Sequence, residues 1–149
     1  MIDISHIHPM LVHFPIALLI AGFFSDILGL FVKKDFFTRA GFYLLILGTL
    51  GAIAAVITGH MAGDGIESGP LRAAVEVHED AGTLTLWLAL ITSALRVVLV
   101  WLDKYRGALK ALAMVLFLAT VLSVARTGYY GGELVYKHAA GVEFSFGNN

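Results

Sequence analysis

The residues of this chain best suited to bind a cofactor are its 6 histidines, because it contains no cysteine. Imidazole nitrogen is a ligand for haem iron, zinc and copper. The first histidine motif reads His8-Pro9-Met10-Leu11-Val12-His13-Phe14-Pro15 and opens a long apolar run. Ionisable side chains and helix breakers are unusual there, so we expect this stretch to do more than cross a bilayer.

Composition places most of the chain in lipid. The 149 residues are 58% apolar and 14% charged, with a mean hydropathy of +0.84. Soluble domains are about 45–50% apolar and about 25% charged. The net charge of −1 argues against a nucleic-acid partner, and the lack of cysteine excludes disulfides, iron–sulfur ligation and thiol catalysis. The N-terminus lacks the pattern of a removable signal peptide.

Four apolar segments are each long enough to cross a bilayer core as a helix of about 20 residues. We therefore predict an all-α, integral membrane four-helix bundle with a single domain over 1–149. Pro15 should distort the first span, because it cannot donate a helical hydrogen bond. The glycine-rich tail, 131–149, should end the fourth helix and turn over the adjacent face. The predicted spans cover residues 9–32, 40–62, 78–102 and 109–130.

The distribution of basic residues predicts the orientation. Lysine and arginine in short loops mark the cytoplasmic side of a membrane. The loops after the first and third spans carry most of them, so both termini and the 63–77 loop should lie outside. In a bacterium this predicts a multi-pass protein of the inner (plasma) membrane with periplasmic termini. The loop residues are Lys33, Lys34, Arg39, Lys104, Arg106 and Lys110.

All the histidines lie near the predicted outer ends of the spans, and each span contributes at least one. A binding site formed by side chains from all four helices requires a histidine near the same end of each helix. We predict that the ligands of a haem or metal are His13, His60, His78 and His138. Residues predicted to lie at its rim or to support the ligands are His8, Arg126, Tyr129, Tyr130, Glu133 and Glu79.

Two charges inside the spans lie at a common depth. Asp26 follows Pro9 by 17 residues and Arg96 follows His78 by 18. At about 1.5 Å per residue, both are roughly 25 Å from the outer end. Buried charges in lipid seek partners, so we predict an ion pair between Asp26 and Arg96.

Three hypotheses account for the histidines. The first is haem b held by two of them, with Arg126 or the tyrosines binding its propionates and electrons exchanged with quinol or a periplasmic redox protein. The second is a zinc or copper site. The third is a structural module without a cofactor, whose small-residue stripes pack helices or form a homo-oligomer. There is no His-Glu-x-x-His motif to support protease chemistry.

The motifs also resemble a known family. His8-Pro9-x-x-Val12-His13-Phe14-Pro15, Thr58-Gly59-His60, His78 with Gly82, and the run from Thr127 to His138 are similar to the bacterial membrane family catalogued as domain of unknown function 2231. The resemblance covers nearly the whole chain and implies a four-span membrane module. Its members are sometimes joined to Rieske or cytochrome c domains, which implies a role in electron transfer.

Overall fold

The architecture is all-helical. A computed structural model describes residues 4–32, 34–64, 66, 68–140 and 142, with side chains from Ile7 onward. Every regular element in these ranges is a helix, and four helical segments are long and apolar enough to cross a membrane. The predicted four-span helical fold is therefore confirmed. The helices are α1 (Ile4–Leu11), α2 (His13–Val32), α3 (Asp35–Gly63), α4 (Pro70–Trp101) and α5 (Gly107–His138).

Three helices extend clearly beyond the predicted spans: α3 begins at Asp35, before the predicted start at residue 40, and α4 and α5 have longer extensions. Helix α4 begins at Pro70, inside the predicted 63–77 loop, where proline suits the first helical turn and Arg72 pairs with Glu76. Helix α5 continues through the glycines that were expected to end it and stops at His138. The spans were predicted from apolar segments, which mark only the part of a helix that lipid would cover. The extensions of α4 and α5 are more polar, so they were not recognised. The rest of the tail, apart from 139, 140 and 142, lies outside the described residues.

Helices α2 to α5 form a ring in which each packs against its two sequence neighbours, and α5 closes the ring on α2. Helices α2 and α4 therefore lie diagonally across the bundle. Helix α1 precedes α2, packs on α3 and is separated from α2 by a turn at Val12. This break is the distortion expected near Pro15.

The two halves of the bundle repeat each other. Buried positions of α2 recur in α4 at a constant separation of 70 residues, the separation that also joins Asp26 to Arg96. Buried positions of α3 recur in α5 at a constant separation of 72 residues. Equivalent helices run in the same direction, so the halves are related by a pseudo-twofold axis along the bundle, as in parallel-repeat transporters. The pairs are Pro15/Thr85, Leu19/Ala89, Gly22/Thr92, Gly29/Leu99, Gly41/Ala113, Leu45/Phe117, Gly48/Thr120 and Ala52/Val124.

The interior combines a small apolar core with hydrogen-bonded hydroxyls. Leu19, Leu45 and Phe117 are fully buried at its centre. Hydroxyl pairs join the helices around them, including Thr49–Ser93 at 2.8 Å and Thr92–Thr120 at 3.1 Å. In lipid such bonds hold helices together where hydrophobic burial cannot. The bundle has a histidine end, near His8 and His78, and an arginine end, near Arg96.

Candidate functional site

Two histidine rings meet at the histidine end. The ring centroids of His8, on α1, and His78, on α4, are 6.1 Å apart and their planes cross at 76°. Both side chains are half-buried. The backbones of α1 and α4 do not come within 8 Å of each other in the described part of the chain, so the two rings occupy the space between them.

Helix α3 fixes the ring of His8. Its Nδ1 lies 2.9 Å from the carbonyl oxygen of Ala55 and 3.3 Å from the hydroxyl of Thr58. A side chain at position 59 would collide with the ring, because a Cβ built on Gly59 would lie 2.9 Å from its Cε1. Glycine is therefore needed for His8 to lie against this helix.

Helix α5 fixes the ring of His78 in the equivalent way. Its Nδ1 lies 3.2 Å from the carbonyl oxygen of Thr127, and a Cβ on Gly131 would lie 3.1 Å from its Cε1. In each half a histidine thus packs on a carbonyl and on a glycine four residues later in the next helix. The pseudo-twofold symmetry of the bundle extends to this pair.

The hydrogen bonds determine which nitrogen of each ring is free. A carbonyl oxygen only accepts, so Nδ1 must carry the proton in both His8 and His78. When the rings are neutral, each Nε2 keeps its lone pair. Histidines that bind metals are usually oriented in this manner, by donating the other N–H to a carbonyl or carboxylate. In both rings Nε2 is thus the nitrogen without a hydrogen bond among the described residues.

His13 does not join this pair. Its side chain is exposed, and its Nδ1 donates to the carbonyl oxygen of Pro9 at 2.7 Å. This bond spans the helix break at Val12. The first motif is therefore divided: His8 faces the bundle interior, whereas Pro9 and His13 belong to the break. The sequence analysis placed His13 among the candidate ligands and His8 at the rim; in the structure it is His8 whose ring lies next to that of His78.

The remaining predicted ligands are not brought into a larger cluster. His60 is exposed and His138 is half-buried near the end of α5. Among the described residues, no three histidine, aspartate or glutamate side chains are close enough to hold a metal ion together. The four-histidine arrangement predicted from the sequence is thus reduced to a pair that includes His78 and adds His8.

Several predicted rim residues lie on the last turns of α5. Arg126 is exposed, with its guanidinium 5.4 Å from the ring centroid of Tyr130, and it precedes the Thr127 carbonyl that binds His78. The hydroxyl of Tyr129 donates to Glu133 at 3.0 Å, and Glu133 also pairs with Lys137. Glu79 is half-buried on α4, next to His78.

The arginine end contains the ion pair predicted between Asp26 and Arg96. Both side chains are about 1–2% exposed. Arg96 Nη2 lies 2.7 Å from Asp26 Oδ1, Nη1 bonds Oδ2, and Nη2 also donates to the Thr38 carbonyl at 2.8 Å. The ring of Tyr105 lies 4.7 Å from this guanidinium. Burial raises the pKa of Tyr105 to about 12.

One feature of the sequence could have identified His8. It precedes Asp26 by 18 residues, and His78 precedes Arg96 by the same number, which is about five turns of an α-helix. Each histidine therefore shares a helix face with the buried charge of its own half. His13 is 13 residues from Asp26 and lies on the other side of the same helix wheel.

Comparison with known proteins gives a family and no function. No curated protein and no solved structure matches the chain. The sequence model of a family described as predicted membrane protein (DUF2231) matches residues 5–143. This range includes both histidines of the pair and both members of the ion pair. The chain therefore belongs to the DUF2231 family of predicted membrane proteins.

Proposed function

We propose that this membrane protein binds one haem b between His8 and His78 and transfers electrons at the histidine end. The observation that carries the proposal is the pair of imidazoles, each with Nδ1 committed to a backbone carbonyl. Both Nε2 atoms are consequently available to one iron. Haem b supplies a one-electron redox centre, and the protein supplies its axial ligands and surroundings.

The centroid distance between the rings is compatible with both rings binding one metal ion. A metal–imidazole bond is about 2 Å long, so two rings that bind one ion from opposite sides have centroids about 6 Å apart. The observed centroid distance is 6.1 Å. The ring planes need not be parallel in such a pair, because each ring is oriented by its own hydrogen bond.

The number of ligands favours haem over zinc or copper. Structural and catalytic zinc sites use three or four protein ligands, and typical copper sites use three or more. In the described part of the chain no third histidine or carboxylate joins the pair. Haem b needs only two protein ligands, since the porphyrin provides the other four nitrogens.

Residues next to the histidine pair would provide partners for the haem propionates. Arg126 lies beside the Thr127 carbonyl that orients His78, and Tyr130 lies against its guanidinium. A cation and a phenol hydroxyl at the membrane surface would bind the propionates. Gly59 and Gly131 let the rings of His8 and His78 lie directly against α3 and α5, which helps to hold both rings in place.

The position of the pair suggests the exchange partner. The basic loops at the arginine end favour a cytoplasmic location for that end, so the histidine end would face the periplasm. A redox centre on this side can accept electrons from quinol in the membrane or exchange them with a periplasmic protein. It would lie too far from the arginine end to carry electrons across the bilayer alone.

An absorption spectrum of the purified protein tests the proposal. After expression with ample haem, we expect a Soret band and a sharpened α band on reduction with dithionite. Two histidine ligands fill both axial positions, so carbon monoxide should leave the reduced spectrum unchanged. A protein that stays colourless under these conditions, or a reduced haem that binds carbon monoxide readily, would contradict the assignment.

A further inference from the structure

The arginine end contains a cleft between two helices. It has a volume of about 410 Å³ and lies between the first turns of α3 and the last turns of α4. Thr38, Arg39 and Tyr43 line it from α3, and Arg96 and Val100 line it from α4. Tyr43 is 63% exposed, on the surface that faces lipid in a membrane bundle.

Arg96 lines this cleft and also retains one donor without a partner among the described residues. Its terminal nitrogens bind Asp26 and the Thr38 carbonyl. Its Nε is buried and has no hydrogen-bond partner among the described residues. A buried guanidinium N–H without a partner is unfavourable, which makes an external acceptor the expected complement. A phosphate oxygen has the charge and acceptor geometry that arginine prefers.

The charges around the cleft favour an anion. Arg39 is exposed at its rim, and no ion pair or side-chain hydrogen bond involves it in the described part of the chain. Asp35 also lines the cleft and opposes an anion. The basic residues around this end nevertheless outnumber its acids, which are Asp35, Asp103 and the paired Asp26. They include Lys34, Lys104, Arg106 and Lys110.

The depth of the lining residues matches the structure of a phospholipid. Arg39 is one helical turn inside the start of α3, so in a bilayer whose surface lies at that start it would be level with the headgroups. Phe42 and Tyr43 lie about one turn deeper and would be level with the first acyl carbons. Basic pockets between transmembrane helices on the cytoplasmic side commonly bind anionic headgroups. We propose that this cleft binds the phosphate of an anionic phospholipid, with Arg39 and Arg96 as its phosphate ligands.

Native mass spectrometry tests the proposal. The protein is reconstituted in nanodiscs with equal amounts of phosphatidylglycerol and phosphatidylcholine, and retained lipid is measured after release. Wild type should retain phosphatidylglycerol preferentially. Arg39→Gln should reduce this retention about tenfold, as expected for loss of one charge-assisted hydrogen bond. Arg106→Gln is the matched control, because it removes one exposed charge at the same end without lining the cleft.

Three outcomes would overturn the proposal. The first is equal retention of both lipids, or preferential retention of phosphatidylcholine, by wild type. The second is equal loss in Arg39→Gln and Arg106→Gln, which would indicate only a general surface charge. The third is displacement of the retained lipid by excess inorganic phosphate, which would indicate a site for free anions. His8→Ala should keep the lipid, so this test is independent of haem binding.

Discussion

The ion pair between Asp26 and Arg96 should be strongly coupled in its contribution to stability. Each member is almost completely buried, and Arg96 also donates to the Thr38 carbonyl. Removing one partner of such a pair leaves an uncompensated buried charge and costs about 3–5 kcal/mol. Asp26→Asn and Arg96→Leu should therefore each lower the free energy of unfolding by that amount.

The double variant distinguishes coupling from two separate effects. Independent losses would add to about 6–10 kcal/mol. Because the second substitution removes the charge that the first left unpaired, we expect the double variant to lose no more than the worse single one. Unfolding by sodium dodecyl sulfate in mixed micelles, followed by circular dichroism, measures all three variants.

A hydroxyl pair in the same bundle provides the control. Thr92→Val removes the bond to Thr120 without affecting a charge. Hydrogen bonds of this kind between membrane helices contribute about 0.6 kcal/mol and at most about 1.7 kcal/mol. Additive losses in the Asp26 and Arg96 variants, or losses no larger than that of Thr92→Val, would refute the coupled pair.

Three further predictions concern the histidine contacts, Tyr105 and the orientation. Gly131→Ala should destabilise the fold or weaken cofactor binding, whereas Gly132→Ala, whose Cβ meets no atom within 4 Å, should be neutral or stabilise it by about 1 kcal/mol in thermal unfolding. Ultraviolet titration should show Tyr105 ionising near pH 12. Since its pKa is raised from about 10, its contribution to stability is complete below pH 10 and is lost as pH rises toward 12. In intact cells, an impermeant thiol reagent should label Ser68→Cys and not Lys104→Cys; the reverse pattern would invert the orientation.

The spans and the ion pair could be predicted because the membrane restricts both. A bilayer requires long apolar helices, and a charge within it requires a partner at the same depth. Counting residues along two helices was enough to match Asp26 with Arg96. The helix ends were less predictable, since α4 and α5 extend past their apolar segments into more polar sequence around Arg72 and Glu133.

The choice between the two histidines of the first motif could not be made from local pattern. His8 and His13 both adjoin prolines, and they are five residues apart, so an unbroken helix would direct them to different sides. In the structure His8 packs against α3, whereas His13 is exposed next to the turn at Val12. The sequence feature that distinguishes His8 from His13 is the shared spacing from His8 to Asp26 and from His78 to Arg96. This spacing reflects the internal repeat.

The haem content of single histidine variants tests the central claim most directly. His8→Ala and His78→Ala remove the paired rings, whereas His13→Ala and His60→Ala remove exposed ones. Measured as pyridine haemochrome per protein, haem should be lost from the first two variants and kept at the wild-type level in the other two. Full haem content in His8→Ala or His78→Ala, or its loss in His13→Ala and His60→Ala alone, would contradict the paired-histidine site.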